Sequence, residues 1–426
     1  MTIARLLALL ALLIATPAAA GPLDGAARDY VRLTLEAGTH EEGYVDAYYG
    51  PAKWAAAAKA HPRSVPALRR EAERLADTVR AVDPARLSPD ERLRQTFLLG
   101  QLTAATTRLA MIAGERLAFA DEAAGLFGVR PELRPLTDFD PAVARIEALV
   151  PGTGPLWQRV DAYKARFAIP ADRLEPVMHA AIAECRRRTL AHIALPADER
   201  FTLEFVTGQP WSGYNYYQGG DRSLIQVNTD LPVLIDRAVD LGCHEGYPGH
   251  HAYNALLEQA MVRQRGWDEF TVYPLYSPQS FIAEGSANYG IELAFPGDEQ
   301  TAFEAAVLYP LAGLNPADAP AYAALNKALR DLGEARFTIA QRYLDGEIDR
   351  AEAMRLTQRY QLLNPERAAK SLDFADRYRS YVINYGLGRD RVRDAVERGR
   401  PPGDARWVAM ARLLSRPIGP GDLGGL

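Results

Sequence analysis

Apolar residues recur three and four positions apart along most of this chain, the spacing that lines one face of an α-helix. The runs "RREAERLADTVRAV", "ERLRQTFLLGQLTAATTRLAMIAGE" and "DPAVARIEALV" carry it, and Ala, Leu, Arg and Glu, all good helix formers, are plentiful in them. Gly and Pro punctuate the pattern at "PGTGP", "ALPADER" and "RGRPPGD", which read as connections. One region breaks the helical period. From Arg200 to Pro232, "RFTLEFVTGQPWSGYNYYQGGDRSLIQVNTDLP" sets β-branched and aromatic residues in short alternating runs around Gly-rich turns, which predicts two or three strands. Its last run, "SLIQVNT", reads as a sheet edge to which an extended peptide could add, with the Asn228 amide available to hold substrate backbone. The expected fold is therefore mainly α, with a small antiparallel sheet.

The N-terminus differs from everything after it. Arg5, the apolar run Leu6–Ile14 and Ala18-x-Ala20 before Gly21 form an export signal over residues 1–20, cleaved after Ala20. No later stretch approaches the roughly 20 apolar residues of a membrane helix, so a periplasmic or secreted protein without stable membrane association is expected. Lys and Arg number 49 against 54 Asp and Glu, a formal charge of −5. That balance gives no basic footprint for nucleic acid. Cys185 and Cys243 are the only cysteines, and export makes a bridge between them chemically permissible.

Candidate chemistry concentrates in "LGCHEGYPGHHAYN", where eight residues hold His244, Glu245, His250 and His251. Two metal-binding histidines on a helix are normally four apart, with the glutamate beside the first acting as general base. Six residues turn a regular helix through about 600° and advance it about 9 Å, too far for one ion. Pro248 lacks the N–H that would continue the helix, and Gly249 tolerates backbone geometry closed to other residues. Together they can fold the chain back and draw His250 toward His244. His250 is preferred as the ligand, with His251 behind it or against substrate. A catalytic zinc also needs a third ligand and an open position. Glu284 in "YSPQSFIAEGSANYGIELAFP" suits the part, on a helix begun by Ser277-Pro278 and with Phe281, Ala287 and Ile291 on the same apolar face. His40, in "THEEGYVDAYYGP", has no second histidine close by and reads as structural or as a cleft residue.

"HEGYPGHH" and "EGSANY" together resemble the bacterial proteins grouped as domain of unknown function 885, with weaker likeness in "YGLG" (Tyr385–Gly388) and "YVDAYYGP". The resemblance spans nearly the whole mature chain. It implies a gluzincin-like zinc metallopeptidase of two helical lobes around a deep cleft, residues 21–195 forming the first and 196–426 the catalytic one. It further implies zinc held by His244, His250 and Glu284, with Glu245 as base for a metal-activated water. Tyr385 is then the candidate donor to the developing oxyanion, and His251, Asn228 and Tyr289 the candidate substrate contacts. Ser286 stands where the family commonly has tryptophan, and Tyr381 where glutamine is expected. The substrates expected are short peptides, cleaved by an exopeptidase or oligopeptidase. Rival functions are a zinc amidase acting on peptidoglycan fragments or other non-protein amides, and a non-catalytic peptide-binding protein. An exopeptidase would need a cation for the free carboxylate, for which Arg222, Arg377, Arg379 and Arg389 are the candidates.

Overall fold

The computed structural model describes residues 21–209 and 211–426; the expected export signal lies outside them. The chain is mainly helical, and the strongest sequence periodicities become the helices Val65–Arg80, Pro89–Ile112 and Asp140–Leu149. Pro89–Ile112 shows why a helix starts where it does. Ser88 Oγ accepts from Glu91 N (3.3 Å), the Glu91 carboxylate accepts from Ser88 N (2.9 Å), and Pro89 occupies the first turn, where a missing N–H costs nothing.

The larger hydrophobic core takes side chains from Leu23 through to Leu423. A second core joins Phe139, Ile146 and Val160 to Leu325, Leu356 and Leu372, so two segments far apart in sequence close on each other. Arg94, on the Pro89–Ile112 helix, ties several elements together. It is 2 % exposed and makes a bidentate pair with Glu269 (2.6 and 2.9 Å) and a third bond to Asp24 (2.6 Å). Glu269 leads directly into the short strand Val272–Pro274.

Five strands lie among the helices: β1 (Val45–Tyr48), β2 (Arg200–Val206), β3 (Gly213–Tyr217), β4 (Arg222–Asn228) and β5 (Val272–Pro274). β1 and β5 pair antiparallel. The sheet just before the histidine cluster has the order β2-β4-β3, with β3 antiparallel to β4 and β2 parallel to it. The sheet is therefore mixed, and "SLIQVNT" lies in its centre instead of at its edge. The short turn after β3 pairs β4 with it on one side, and β2 pairs with β4 on the other. Of the two true edges, β3 is the one beside the histidines. Cys185 and Cys243 are bonded, with Cα atoms 5.4 Å apart, so the helix Leu174–Leu190 is tethered to the residue before His244. Among the described residues no helix is long and apolar enough to cross a membrane.

Candidate metal centre

Helix Ile235–Leu241 widens into a π-helical turn over Gly242–Gly246 and then stops; a new helix starts at His250. Between them the Tyr247–Pro248 peptide is cis, and Gly249 N donates to Cys243 O (3.0 Å), so the chain doubles back on its own last turn. The approach leaves no room for a side chain at Gly249, where a Cβ would lie 1.8 Å from the His244 carbonyl oxygen. As a result the Nε2 atoms of His244 and His250 stand 3.1 Å apart, despite the six-residue spacing.

Glu284 comes from the helix Pro278–Ala294, which Ser277 caps by accepting from Ser280 N (3.4 Å). Its Oε2 lies 3.3 Å from His244 Nε2 and 3.8 Å from His250 Nε2. That oxygen is buried and has no hydrogen-bond partner, while Oε1 accepts from the Tyr381 hydroxyl (2.9 Å). Tyr381 reaches it because the helix Ile383–Glu397 lies almost against the Glu284 helix. A Cβ on Gly285 would meet the Gly388 carbonyl carbon and oxygen at 2.6 Å, so the glycine of "EGSANY" permits the contact. Tyrosine at 381, the departure noted in the sequence, thus orients a carboxylate of the cluster.

The Glu245 carboxylate completes a group with His244 and His250 whose donor atoms all lie within 4.8 Å of one another. Its own carbonyl accepts from Asn215 Nδ2 on β3 (2.7 Å), and Gly213 on the same strand faces the carboxylate, where a Cβ would come within 3.1 Å of Oε1. Asp46 adds a further carboxylate that sequence reasoning missed. It occupies the irregularity in the β1–β5 pairing between Val45 and Ala47, where an extra residue re-aims a side chain, and it accepts from the Tyr214 hydroxyl.

These charges crowd. Burial lowers the pKa of His250, but the nearby Glu284 carboxylate, with the charges of Glu245 and Asp46, outweighs that and pushes it up to about 9. Burial raises the Glu284 carboxyl, yet the two histidines hold it well below the usual carboxylate range. Asp46 is pushed up to about 7, first by burial, with His250 opposing and Glu284 and Glu245 adding to the rise. Burial and Glu284 raise the Tyr385 phenol far above its ordinary value, so it stays protonated. Its hydroxyl has no hydrogen-bond partner among the described residues, and its ring packs on Tyr381.

The donor set fits a divalent cation. A tetrahedron of zinc bonds near 2.0–2.1 Å has edges of about 3.3 Å, and the three donors stand 3.1, 3.3 and 3.8 Å apart. The unpartnered Glu284 Oε2 and the surplus of carboxylates both call for positive charge at that point.

The three candidate substrate contacts all hydrogen-bond within the fold. His251 is fully buried, its Nδ1 on Ser223 Oγ (2.8 Å) and its Nε2 on Glu199 (2.9 Å). It follows His250 directly on one helix, so it points about 100° away from it. Glu199 also holds Arg186 (2.6 Å) and Tyr247, which braces the reversal from behind. His251→Ala is expected to cost about 1–3 kcal/mol by leaving these partners unpaired, read as a lower urea midpoint. The Asn228 amide donates to the Gln209 (2.8 Å) and Trp211 (3.0 Å) carbonyls and so closes the loop between β2 and β3. Tyr289 is buried and donates to Glu397 (3.1 Å). His40 meets the Arg63 carbonyl (2.7 Å) at the surface, and Ser286 turns its hydroxyl onto Ala283 O (3.1 Å).

No family model matches the chain, so its likeness to the domain of unknown function 885 remains one of motifs, and no curated protein matches it either. Among solved structures it is distantly similar to the "putative lipoprotein from Colwellia psychrerythraea", with TM-score 0.48 and 15% identity over 94% of this chain and 76% of that one. It is also distantly similar to the M32 carboxypeptidase from Deinococcus radiodurans R1, with TM-score 0.44 and 16% identity over 94% and 93% of the two chains.

Proposed function

We propose that this chain is an exported zinc-dependent hydrolase that cleaves amide bonds in short peptides, with His244, His250 and Glu284 holding the ion. The observation that carries this reading is the convergence of two histidine nitrogens on a buried carboxylate oxygen that has no other partner, with Glu245 alongside. A zinc ion bound there would polarise a carbonyl and lower the pKa of water toward 7.

The remaining chemistry belongs to the protein. Glu245, fixed through its backbone by Asn215, takes the proton of the attacking water as the water oxygen bonds to the scissile carbon. The carbonyl oxygen gains charge at that moment, and the Tyr385 phenol, kept protonated by burial, is the donor assigned to it. When the C–N bond breaks, Glu245 passes the proton to the departing amine. Asp46, which accepts from the Tyr214 hydroxyl, adds its charge beside His250 and Glu284, and β3 offers the free strand edge for an extended peptide. The buried Cys185–Cys243 bond supports export, since disulfides persist in oxidising compartments.

Metal analysis by plasma mass spectrometry tests the reading. The mature protein is expected to carry close to one zinc per chain and His250→Ala almost none; a wild-type protein that stays metal-free after dialysis against zinc would sink it. Tyr381→Phe removes the hydrogen bond that fixes Glu284. It should weaken zinc binding by about 10–100-fold, measured by chelator competition, with the fold intact.

A further inference from the structure

Arg336, on the helix Ala335–Leu344, is left without an opposite charge among the described residues. Its Nε is buried with no hydrogen-bond partner, and among the described residues its guanidinium forms no ion pair. Its neighbours are aromatic faces, Phe374 at 4.8 Å and Tyr385 at 5.9 Å from the guanidinium carbon. Burial lowers its pKa, the opposite of what an ion-paired arginine shows. Tyr385 feels the charges of Glu284 and Glu245 as well as that of Arg336, and its ring packs on Tyr381, which donates to Glu284, so a short run of aromatic contacts joins the arginine to the carboxylate cluster.

The other arginines that could meet a carboxylate are differently placed. Arg379 is held by Glu122 (2.5 Å), and Arg389 by Asp390 (2.9 Å) with Glu292 nearby (3.7 Å). Arg222 and Arg377 are exposed to solvent. An arginine whose Nε is taken out of water without a counter-charge is held at a cost, and an anion from a ligand would supply the missing partner. The neighbouring Phe374 and Tyr385 rings, 6.2 Å apart, give the guanidinium an aromatic wall, and its planar fork suits bidentate capture of a carboxylate.

We infer that Arg336 binds the C-terminal carboxylate of the substrate, so that the site takes peptides with a free C-terminus and releases residues from that end. This rests on the hydrolase reading for the reaction but not for the binding.

Calorimetric titration separates the two. The probes are N-acetyl-trialanine and its C-terminal amide, added to the full mature protein and to its Arg336→Gln and Arg336→Lys variants. The free acid is expected to bind wild type at least tenfold more tightly than the amide. Arg336→Gln should bind both equally, and Arg336→Lys should keep part of the preference because it retains the charge without the fork. Equal binding of acid and amide to wild type, or no binding of either, overturns the assignment, as does a preference that survives in Arg336→Gln. Cleavage by the zinc-loaded wild type is followed in parallel. Discrimination in binding without cleavage would end the hydrolase reading and leave Arg336 in place; cleavage of both probes at one rate would do the reverse.

Discussion

Glu245→Gln is expected to keep its zinc and to lose peptide turnover by about 10²–10⁴-fold, the usual contribution of a positioned general base. Glutamine preserves the shape and the contacts that hold residue 245, since the bond from Asn215 goes to the backbone carbonyl and not to the side chain. What it removes is the ability to accept a proton. Glu284→Ala should behave in the opposite way, because it deletes the oxygen that both histidines face. That protein should purify without metal and show no turnover. Metal content and initial rates, measured on the two variants together, separate base from ligand. The Glu245 carboxylate is close enough to the histidine nitrogens for the roles to be exchanged. If Glu245→Gln lost zinc while Glu284→Ala retained it, the third ligand would be Glu245, and the buried Glu284 would need another explanation.

The parts of this centre that sequence could reveal are those carried by local chemistry. His244, Glu245 and His250 stand close together in a chain with 7 histidines, and Pro248-Gly249 explains their spacing. Glu284 was legible because a carboxylate sits on an otherwise apolar helix face. The helices were legible from their period and the strands between 200 and 232 from alternation, but β1, β5 and the strand order were not. β4 became central only because β2 pairs with it in parallel after the chain has already made β3. Asp46 was hidden for a similar reason. It reaches the site through a bulge in a strand whose partner, β5, lies more than two hundred residues onward. Sequence left His251 open between a place behind His250 and one against substrate, and its helix turns it onto Ser223 and Glu199. Arg336 carried no sequence signal at all, since an arginine is distinguished by the absence of a partner only after the chain has folded.

Gly249→Ala is expected to abolish the centre altogether. The added methyl would lie 1.8 Å from the His244 carbonyl oxygen and 2.4 Å from that of Cys243. Both obstacles are backbone atoms in the turn that presents His244, so no change of rotamer relieves them. Cys243 is tethered to Cys185, and Tyr247 is held by Glu199, so neither side of the reversal can move away. The clash must be met by opening the reversal, which separates His250 from His244. A loss of more than about 4 kcal/mol, in the range of the most damaging substitutions, should accompany the loss of zinc. Gly246→Ala is the matched control on the same turn, where a Cβ would find only the edge of Phe201 at 3.7 Å, an ordinary contact. Urea melts and metal content of the two proteins test the point. A Gly249→Ala protein with normal stability and full zinc would mean that the backbone reversal does not bring the histidines together.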